Sequence, residues 1–268
     1  MRSSSGSREE ARFRAAFAHL CRADPILRSW IRSDYLDPRA LRESALARRA
    51  PRWAVADHFF IEQRLEALAR RHARLAFEED DEGLNYHSTA TRVDRLDEEV
   101  GLDLFRHPIW HRYAAFVLNT DLHDLGRTVV KYRRHPPYAR GFWIHTDRDS
   151  GRSKSLAVLG YLNRGWRSSD GGLLQLWEGK PHRVGSGRPL RRWAAFEGTR
   201  LSFLERDRII DIQAAAPRGL VKIEARLIAQ IVPAWNRVVF LDFRSSPAYH
   251  SVTPSRRRAR LGFLQWLY

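Results

Sequence analysis

The hexapeptide FWIHTD, residues 142–147, begins with three apolar residues and ends with three polar ones, and it predicts a short β-strand. Side chains two residues apart on a strand point to the same face of the sheet, so His145 and Asp147 could bind one metal ion together. A later predicted strand, residues 249–252, offers His250 as a third ligand. Two imidazoles and one carboxylate leave coordination positions open, which is the arrangement that oxygen-activating non-heme iron(II) enzymes use.

Short apolar runs separated by Gly, Pro, Asp and Ser extend from Arg127 to the C-terminus, and they predict a β-sandwich or barrel. The candidate strands are Thr128–Tyr132, Phe142–Asp147, Ser155–Leu162, Leu173–Trp177, Val221–Ile231, Arg237–Phe243, Tyr249–Val252 and Arg260–Tyr268. The stretch from Glu178 to about Gly219 is less clearly patterned. We interpret it as an insertion between two strands.

The N-terminal part has the mixed three- and four-residue spacing of apolar side chains that predicts amphipathic helices. Pro25 and Pro38 divide this pattern into two or three short helices, and a further helix is predicted from Glu62 to Phe77. We therefore expect residues 1–50 to form a helical extension with a flexible start. Residues 51–268 are expected to form a mainly β domain that packs with this extension as one unit.

The composition is typical of a globular protein in a reducing compartment. Hydrophobic residues make up 43% of the 268 positions, and the single cysteine, Cys21, cannot form an intrachain disulfide. The polar N-terminus contains no apolar run long enough for a signal peptide or a membrane span. We expect a cytoplasmic protein without a membrane span, and the sequence does not predict its oligomeric state.

The formal net charge of +16 has two open explanations. Basic proteins bind nucleic acid, anionic lipid or acidic substrates. Only four of the 47 basic residues are lysines, however, and a GC-rich coding sequence gives such an arginine excess without selection for binding. Because we find no aromatic-basic RNA signature and no helix-turn-helix pattern, the sequence does not favour a nucleic-acid partner.

The order of the C-terminal motifs resembles that of the 2-oxoglutarate/iron(II) oxygenase superfamily, and more closely that of its prolyl-4-hydroxylase-like branch. The resemblance covers about Val129 to Tyr268. Its elements are Val130-Lys131-Tyr132, His145-Thr146-Asp147, Tyr161-Leu162-Asn163 with Trp166, Asp170 to Leu176, Asn236 to Phe240, His250 to Pro254 and Arg260 to Trp266. It implies a double-stranded β-helix, or jelly-roll, core flanked by helices.

The same resemblance assigns the metal ligands: His145, Asp147 and His250 would hold Fe(II). It also implies that one end of 2-oxoglutarate chelates the iron while a basic residue clamps its far carboxylate. Arg260 has the expected position about ten residues beyond His250, and a guanidinium binds a carboxylate bidentately. Arg258 is the alternative, because it has the same strand parity.

Two tyrosines would complete the co-substrate site if the resemblance holds. Tyr161 resembles the family tyrosine that shares the far carboxylate, and Tyr132 resembles the one near the iron-chelating end. On the last strand, Arg260 shares one face with Gly262, Leu264 and Trp266, so it could point inward with space beside the glycine.

The implied activity consumes O2, converts 2-oxoglutarate to succinate and CO2, and hydroxylates an unactivated C–H bond, with desaturation or ring closure as variants. Related halogenases lack the metal carboxylate, so Asp147 argues against halogenation. The loop at residues 133–140 and the insertion are both basic, which favours a small, anionic metabolite or biosynthetic intermediate as substrate. A peptidyl or protein prolyl hydroxylase, a nucleic-acid-associated oxygenase and a barrel that binds ligand without catalysis are the alternatives.

Overall fold

The architecture combines a helical layer with two antiparallel β-sheets. The computed structural model describes residues 4–48, 51–79, 89–90, 102–122, 124, 127–145, 147, 154–184, 208–209, 214–216, 219–245 and 248–268. The helices in these residues are α1 (Ser4–Ala23), α2 (Pro25–Trp30), α3 (Arg39–Leu46), α4 (Glu62–His72), α5 (Leu102–Phe105) and α6 (Pro108–Leu118). The strands are β1 (Trp53–Ala56), β2 (Glu78–Glu79), β3 (Thr89–Ala90), β4 (Thr128–His135), β5 (Phe142–His145), β6 (Leu156–Tyr161), β7 (Leu174–Val184), β8 (Arg208–Ile209), β9 (Ala214–Ala216), β10 (Gly219–Ile231), β11 (Val238–Asp242), β12 (Tyr249–Val252) and β13 (Arg260–Leu267).

The strands form a major and a minor sheet. The major sheet has the order β1-β11-β6-β13-β4-β3-β2, and the minor sheet has the order β5-β12-β7-β10-β8, with β9 also paired to β10. Most neighbours in each sheet are distant in sequence, which is the connectivity of a jelly roll rather than of simple hairpins. The predicted double-stranded β-helix core with flanking helices is confirmed.

Two hydrophobic cores lie on opposite faces of the major sheet. The first joins the sheet to the helices and includes Trp110, Phe240 and Phe263. The second lies between the two sheets and includes Leu176 and Trp266. Because successive side chains of a strand alternate between faces, β13 contributes Phe263 to the helical core and its neighbours to the space between the sheets.

The helical extension follows the predicted breaks. At α2, Pro25 occupies the first turn and the Asp24 carboxylate accepts a hydrogen bond from the Leu27 amide, as expected for an N-cap. Trp30 packs edge-on against Phe60 beyond the extension, so helices before residue 50 share the first core with the sheet. The division of the chain at residue 50 stays a prediction.

The predicted insertion is in part a continuation of two strands. β7 runs on to Val184 and β10 begins at Gly219, and their registers pair Leu174 with Ile231 at one end and Val184 with Leu220 at the other. The sequence pattern predicted both strands too short, because their outer parts are stabilised by pairing with each other rather than by a local alternation of apolar residues. Most of the predicted insertion beyond Val184 lies outside the described residues.

Within the described part of the chain, none of the helices combines the length and the apolar character that crossing a membrane would require.

Candidate active site

A cavity lies between the two sheets. It is lined by residues of both sheets and of the segment that follows β5. These are Arg133, His135, Phe142, Asp147, Leu159, Tyr161, Leu174, His250, Val252, Arg260, Gly262, Phe263, Leu264 and Trp266. Four of the residues expected from the sequence, Asp147, Tyr161, His250 and Arg260, therefore meet in one place.

The metal-ligand candidates come from two neighbouring strands of the minor sheet. β12 pairs antiparallel with β5, and the backbone of His250 is in register with that of His145. Asp147 follows β5 and lines the cavity together with His250. The side chain of His145 lies outside the described residues. Without it, the described side chains contain no complete group of three His, Cys, Asp or Glu ligands.

The hydrogen bond of His250 fixes which ring nitrogen can bind a metal. Its Nδ1 lies 2.9 Å from the carbonyl oxygen of Ala248, and the residue is only 7% exposed. A carbonyl oxygen can only accept a hydrogen bond, so Nδ1 carries the proton. The lone pair is then on Nε2, which is the tautomer of a histidine ligand whose other nitrogen is held by the backbone.

The carboxylate of Asp147 is oriented by an indole. Trp266 donates from Nε1 to Oδ2 of Asp147 over 2.7 Å, and the tryptophan is 5% exposed. Hydrogen bonds of this kind hold a ligating carboxylate in one rotamer before metal binding. The sequence placed Trp266 on the inward face of β13 but did not predict this contact.

We expect Trp266→Phe to weaken metal binding by about 10- to 100-fold, because the phenyl ring keeps the packing but removes the donor to Asp147. Titration of the apoprotein with Co(II) measures this directly. Trp110→Phe is the matched control, since Trp110 donates its indole N–H to Gln265 on the opposite face of the same strand. Equal metal affinity in the two variants would show that Trp266 does not orient the carboxylate.

Arg260 lies at another part of the cavity wall and is 7% exposed. Its Nη1 is 2.8 Å from Nε2 of His135, and its guanidinium carbon lies 5.1 Å from the ring centroid of Tyr161. The buried Nε of Arg260 has no hydrogen-bond partner among the described residues. A buried guanidinium with an unused donor is suited to binding an anion, since such groups are normally paired.

His135 is neutral in this arrangement. Arginine has no acceptor, so Nε2 of His135 must accept from Arg260 and cannot carry a proton. Burial holds the pKa of His135 well below its usual value of 6.5, and the nearby charges of Arg260 and Arg133 lower it further. His135 thus fixes the direction of the Arg260 guanidinium without neutralising its charge.

Gly172 provides the space into which the Arg260 side chain fits. It has a φ of +62°, and a Cβ built on it would lie 2.9 Å from Cδ of Arg260. We expect Gly172→Ala to displace the guanidinium and to raise the KM for 2-oxoglutarate several-fold, with a loss of about 1 kcal/mol in the free energy of unfolding from backbone strain. Steady-state kinetics and urea unfolding measure the two effects.

Gly165→Ala separates backbone strain from the contact with Arg260. Gly165 has a nearly equal φ of +60°, but a Cβ on it would meet no atom within 4 Å. This variant is expected to lose similar stability with an unchanged KM for 2-oxoglutarate. A rise in KM of the same size in both variants would contradict the role assigned to Gly172.

The structure does not bring Tyr132 to the cavity, which corrects the expectation for this residue. Tyr132 points to the other face of β4, where its ring contacts Phe263 and His72 in the helical core. Strand parity is the reason, because the cavity face of β4 carries the odd-numbered residues Arg133 and His135.

Arg258, the alternative to Arg260, lies on the surface. Its guanidinium donates to the carbonyl oxygens of Arg164 and Gly165 and does not line the cavity. The loop expected at residues 133–140 begins later than the sequence predicts. β4 instead continues to His135, which pairs with Arg260 on β13. Arg133 and His135 line the cavity although the predicted strand did not include them. Extending the alternation of β4 by three residues would have found them.

The family comparison covers the part of the chain that forms this cavity. The family model described as the 2OG-Fe(II) oxygenase superfamily matches residues 128–268. A sequence comparison with curated proteins gives no match.

Solved structures share the fold at low sequence identity. A prolyl-4-hydroxylase from Pseudomonas putida superimposes with a TM-score of 0.54 at 17% identity, over 85% of this chain and 97% of that one. A prolyl hydroxylase from Trichoplax adhaerens, in complex with a hypoxia inducible factor peptide fragment, gives 0.52 at 12% identity over 88% and 92%. SnoN, a non-heme alpha ketoglutarate dependent epimerase from nogalamycin biosynthesis, gives 0.54 at 12% identity over 86% and 84%. At these identities the similarity shows the fold alone.

Proposed function

Because the chain belongs to the 2OG-Fe(II) oxygenase superfamily, we propose that it hydroxylates an unactivated C–H bond of a small molecule, with His145, Asp147 and His250 as the iron ligands. The chain is a 2-oxoglutarate-dependent dioxygenase, and its co-substrates are 2-oxoglutarate and O2. The single observation that carries the residue assignment is the cavity in which Asp147, His250 and Arg260 meet.

The described residues fit both groups that this chemistry requires. A neutral imidazole and a carboxylate are suitable donors for Fe(II), and the hydrogen bonds to Ala248 and Trp266 leave both side chains in a ligating state. The buried, unsatisfied Nε of Arg260 fits the far carboxylate of 2-oxoglutarate. Tyr161 packs beside the guanidinium and would close that end of the co-substrate site.

When bound, iron would activate O2, which is the oxidant, and 2-oxoglutarate would supply two electrons as it is oxidatively decarboxylated to succinate and CO2; one oxygen atom of O2 would enter succinate and the other the substrate. The protein residues orient and enclose the reactants. Trp266 holds the Asp147 carboxylate, His135 directs Arg260, and apolar side chains such as Leu159 and Phe142 restrict water in the cavity.

Measurement of iron-dependent succinate formation tests the proposal. The purified chain, supplied with Fe(II), ascorbate, 2-oxoglutarate and O2, should produce succinate, and removal of iron by a chelator should stop it. Small anionic metabolites and proline-containing peptides are then compared for their ability to accelerate this turnover. Acceleration by the peptides alone would replace the small-molecule assignment with the prolyl-hydroxylase alternative, and absence of succinate with every compound would contradict the proposed hydroxylation.

A further inference from the structure

Three basic side chains lie near the indole ring of Trp266, the residue that holds Asp147. Lys154 Nζ lies 4.5 Å from the ring centroid, and Lys131 Nζ and the guanidinium carbon of Arg133 each lie 5.9 Å from it. Because each group lies at most 5.9 Å from the same ring centroid, any two of them are within about 12 Å of each other. We refer to Lys131, Arg133 and Lys154 as the cation cluster.

The positions of the cation cluster follow from the major sheet. Lys131 and Arg133 alternate along β4 and are in register with Leu264 and Gly262, two residues that line the cavity. Lys154 precedes β6 near the end of β13, where Trp266 is located. The cluster thus extends from Arg133 inside the cavity to two partly exposed lysines beside it.

A general excess of arginine does not explain this cluster. The chain has 47 basic residues, of which only four are lysines, and two of those four contact the same tryptophan. A lysine ammonium is a compact point charge with three donors, and it binds phosphate or carboxylate groups without the planar geometry that arginine requires. An excess of arginine therefore does not account for the two lysines at this ring.

The charges of the cavity point to an anionic ligand in addition to 2-oxoglutarate. Among the described residues that line it, Asp147 is the only carboxylate, whereas Arg133 and Arg260 both carry positive charge. Asp147 is assigned to the metal and Arg260 to 2-oxoglutarate. A cleft whose walls carry mostly one sign of charge concentrates ligands of the opposite sign.

We propose that Lys131, Arg133 and Lys154 bind a carboxylate or phosphate group of the primary substrate. This inference rests on the proposed function, because it identifies the substrate class of that same site. An anion held by the cluster would lie beside Trp266, and the rest of the substrate would extend toward Asp147 and His250, where oxidation takes place.

Binding of methyl phosphate to the chain loaded with Fe(II) and saturating 2-oxoglutarate, under argon so that no turnover occurs, tests this inference. Isothermal titration should detect binding together with 2-oxoglutarate, and Lys131→Gln/Lys154→Gln should weaken it at least tenfold. Arg12→Gln/Arg28→Gln removes two positive charges from exposed positions on α1 and α2, and this variant should bind as the wild type does. Lys131→Arg/Lys154→Arg keeps the charges and should retain most of the affinity.

Three results would overturn the inference: no binding to the wild type, equal weakening in both glutamine pairs, or displacement of 2-oxoglutarate by methyl phosphate. Acetate is titrated in parallel. Whichever of acetate and methyl phosphate binds more tightly shows whether the cluster prefers a carboxylate or a phosphate group. The proposed function fails in a different way, because iron-dependent succinate formation would then be absent from the wild type whatever methyl phosphate does.

Discussion

Replacement of Asp147 with alanine is expected to abolish turnover and metal retention while leaving the fold largely intact. The carboxylate supplies the charged ligand of the metal site. Without the metal, the transition state would lose several kcal/mol of stabilisation, which corresponds to a decrease in kcat/KM on the order of a thousandfold or more. His250→Ala should have the same effect, because it removes the lone pair of Nε2. Succinate formation and the iron content of the dialysed protein measure both losses.

Asp34→Ala is the control for loss of a carboxylate. Asp34 is exposed and its carboxylate pairs with Arg32 on the surface, so this variant should keep its iron and its turnover. Circular dichroism establishes that the Asp147 and His250 variants remain folded. Full activity in Asp147→Ala would refute the assignment of the metal site.

Arg260→Ala is expected to raise the KM for 2-oxoglutarate by at least about thirtyfold. Removal of one partner of a buried, charge-assisted pair costs about 2 to 5 kcal/mol, and the lower value corresponds to that factor. Arg260→Lys should recover part of the affinity, because it keeps the charge and loses the bidentate geometry. Initial rates over a range of 2-oxoglutarate concentrations give both values.

Arg258→Ala provides the matched control, two residues away along the chain. Its guanidinium bonds to surface carbonyl groups, so the KM for 2-oxoglutarate should not change. If Arg258→Ala and Arg260→Ala raised the KM equally, the clamp would not be the buried residue at the start of β13.

The sequence predicted the jelly-roll core because period-two alternation and turn residues are local signals. The boundaries of β12 were predicted without error, and the inward face of β13 from Arg260 to Trp266 was also correct. Tyr132 was expected at the site from the resemblance alone, and it lies in the helical core instead. Ending the predicted β4 at Tyr132 also left His135 out of the strand.

The contacts that organise the site could not be predicted, because they join residues far apart in the chain. The hydrogen bond between Trp266 and Asp147 spans 119 positions, and that between Arg260 and His135 spans 125. No local pattern encodes such pairs. The pair of Arg260 and His135 depends on strand order and register in the major sheet, and that of Trp266 and Asp147 on how the two sheets face each other; sequence periodicity determines neither.

The central claim is that His145, Asp147 and His250 bind one metal ion in the cavity between the sheets. Anomalous diffraction from crystals of the chain grown with Mn(II) and 2-oxoglutarate tests it most directly. The account predicts a single strong anomalous peak bonded to both imidazoles and the carboxylate, with 2-oxoglutarate extending from it toward Arg260. A peak bonded to other residues, or the three side chains on separate sides of the molecule, would contradict it.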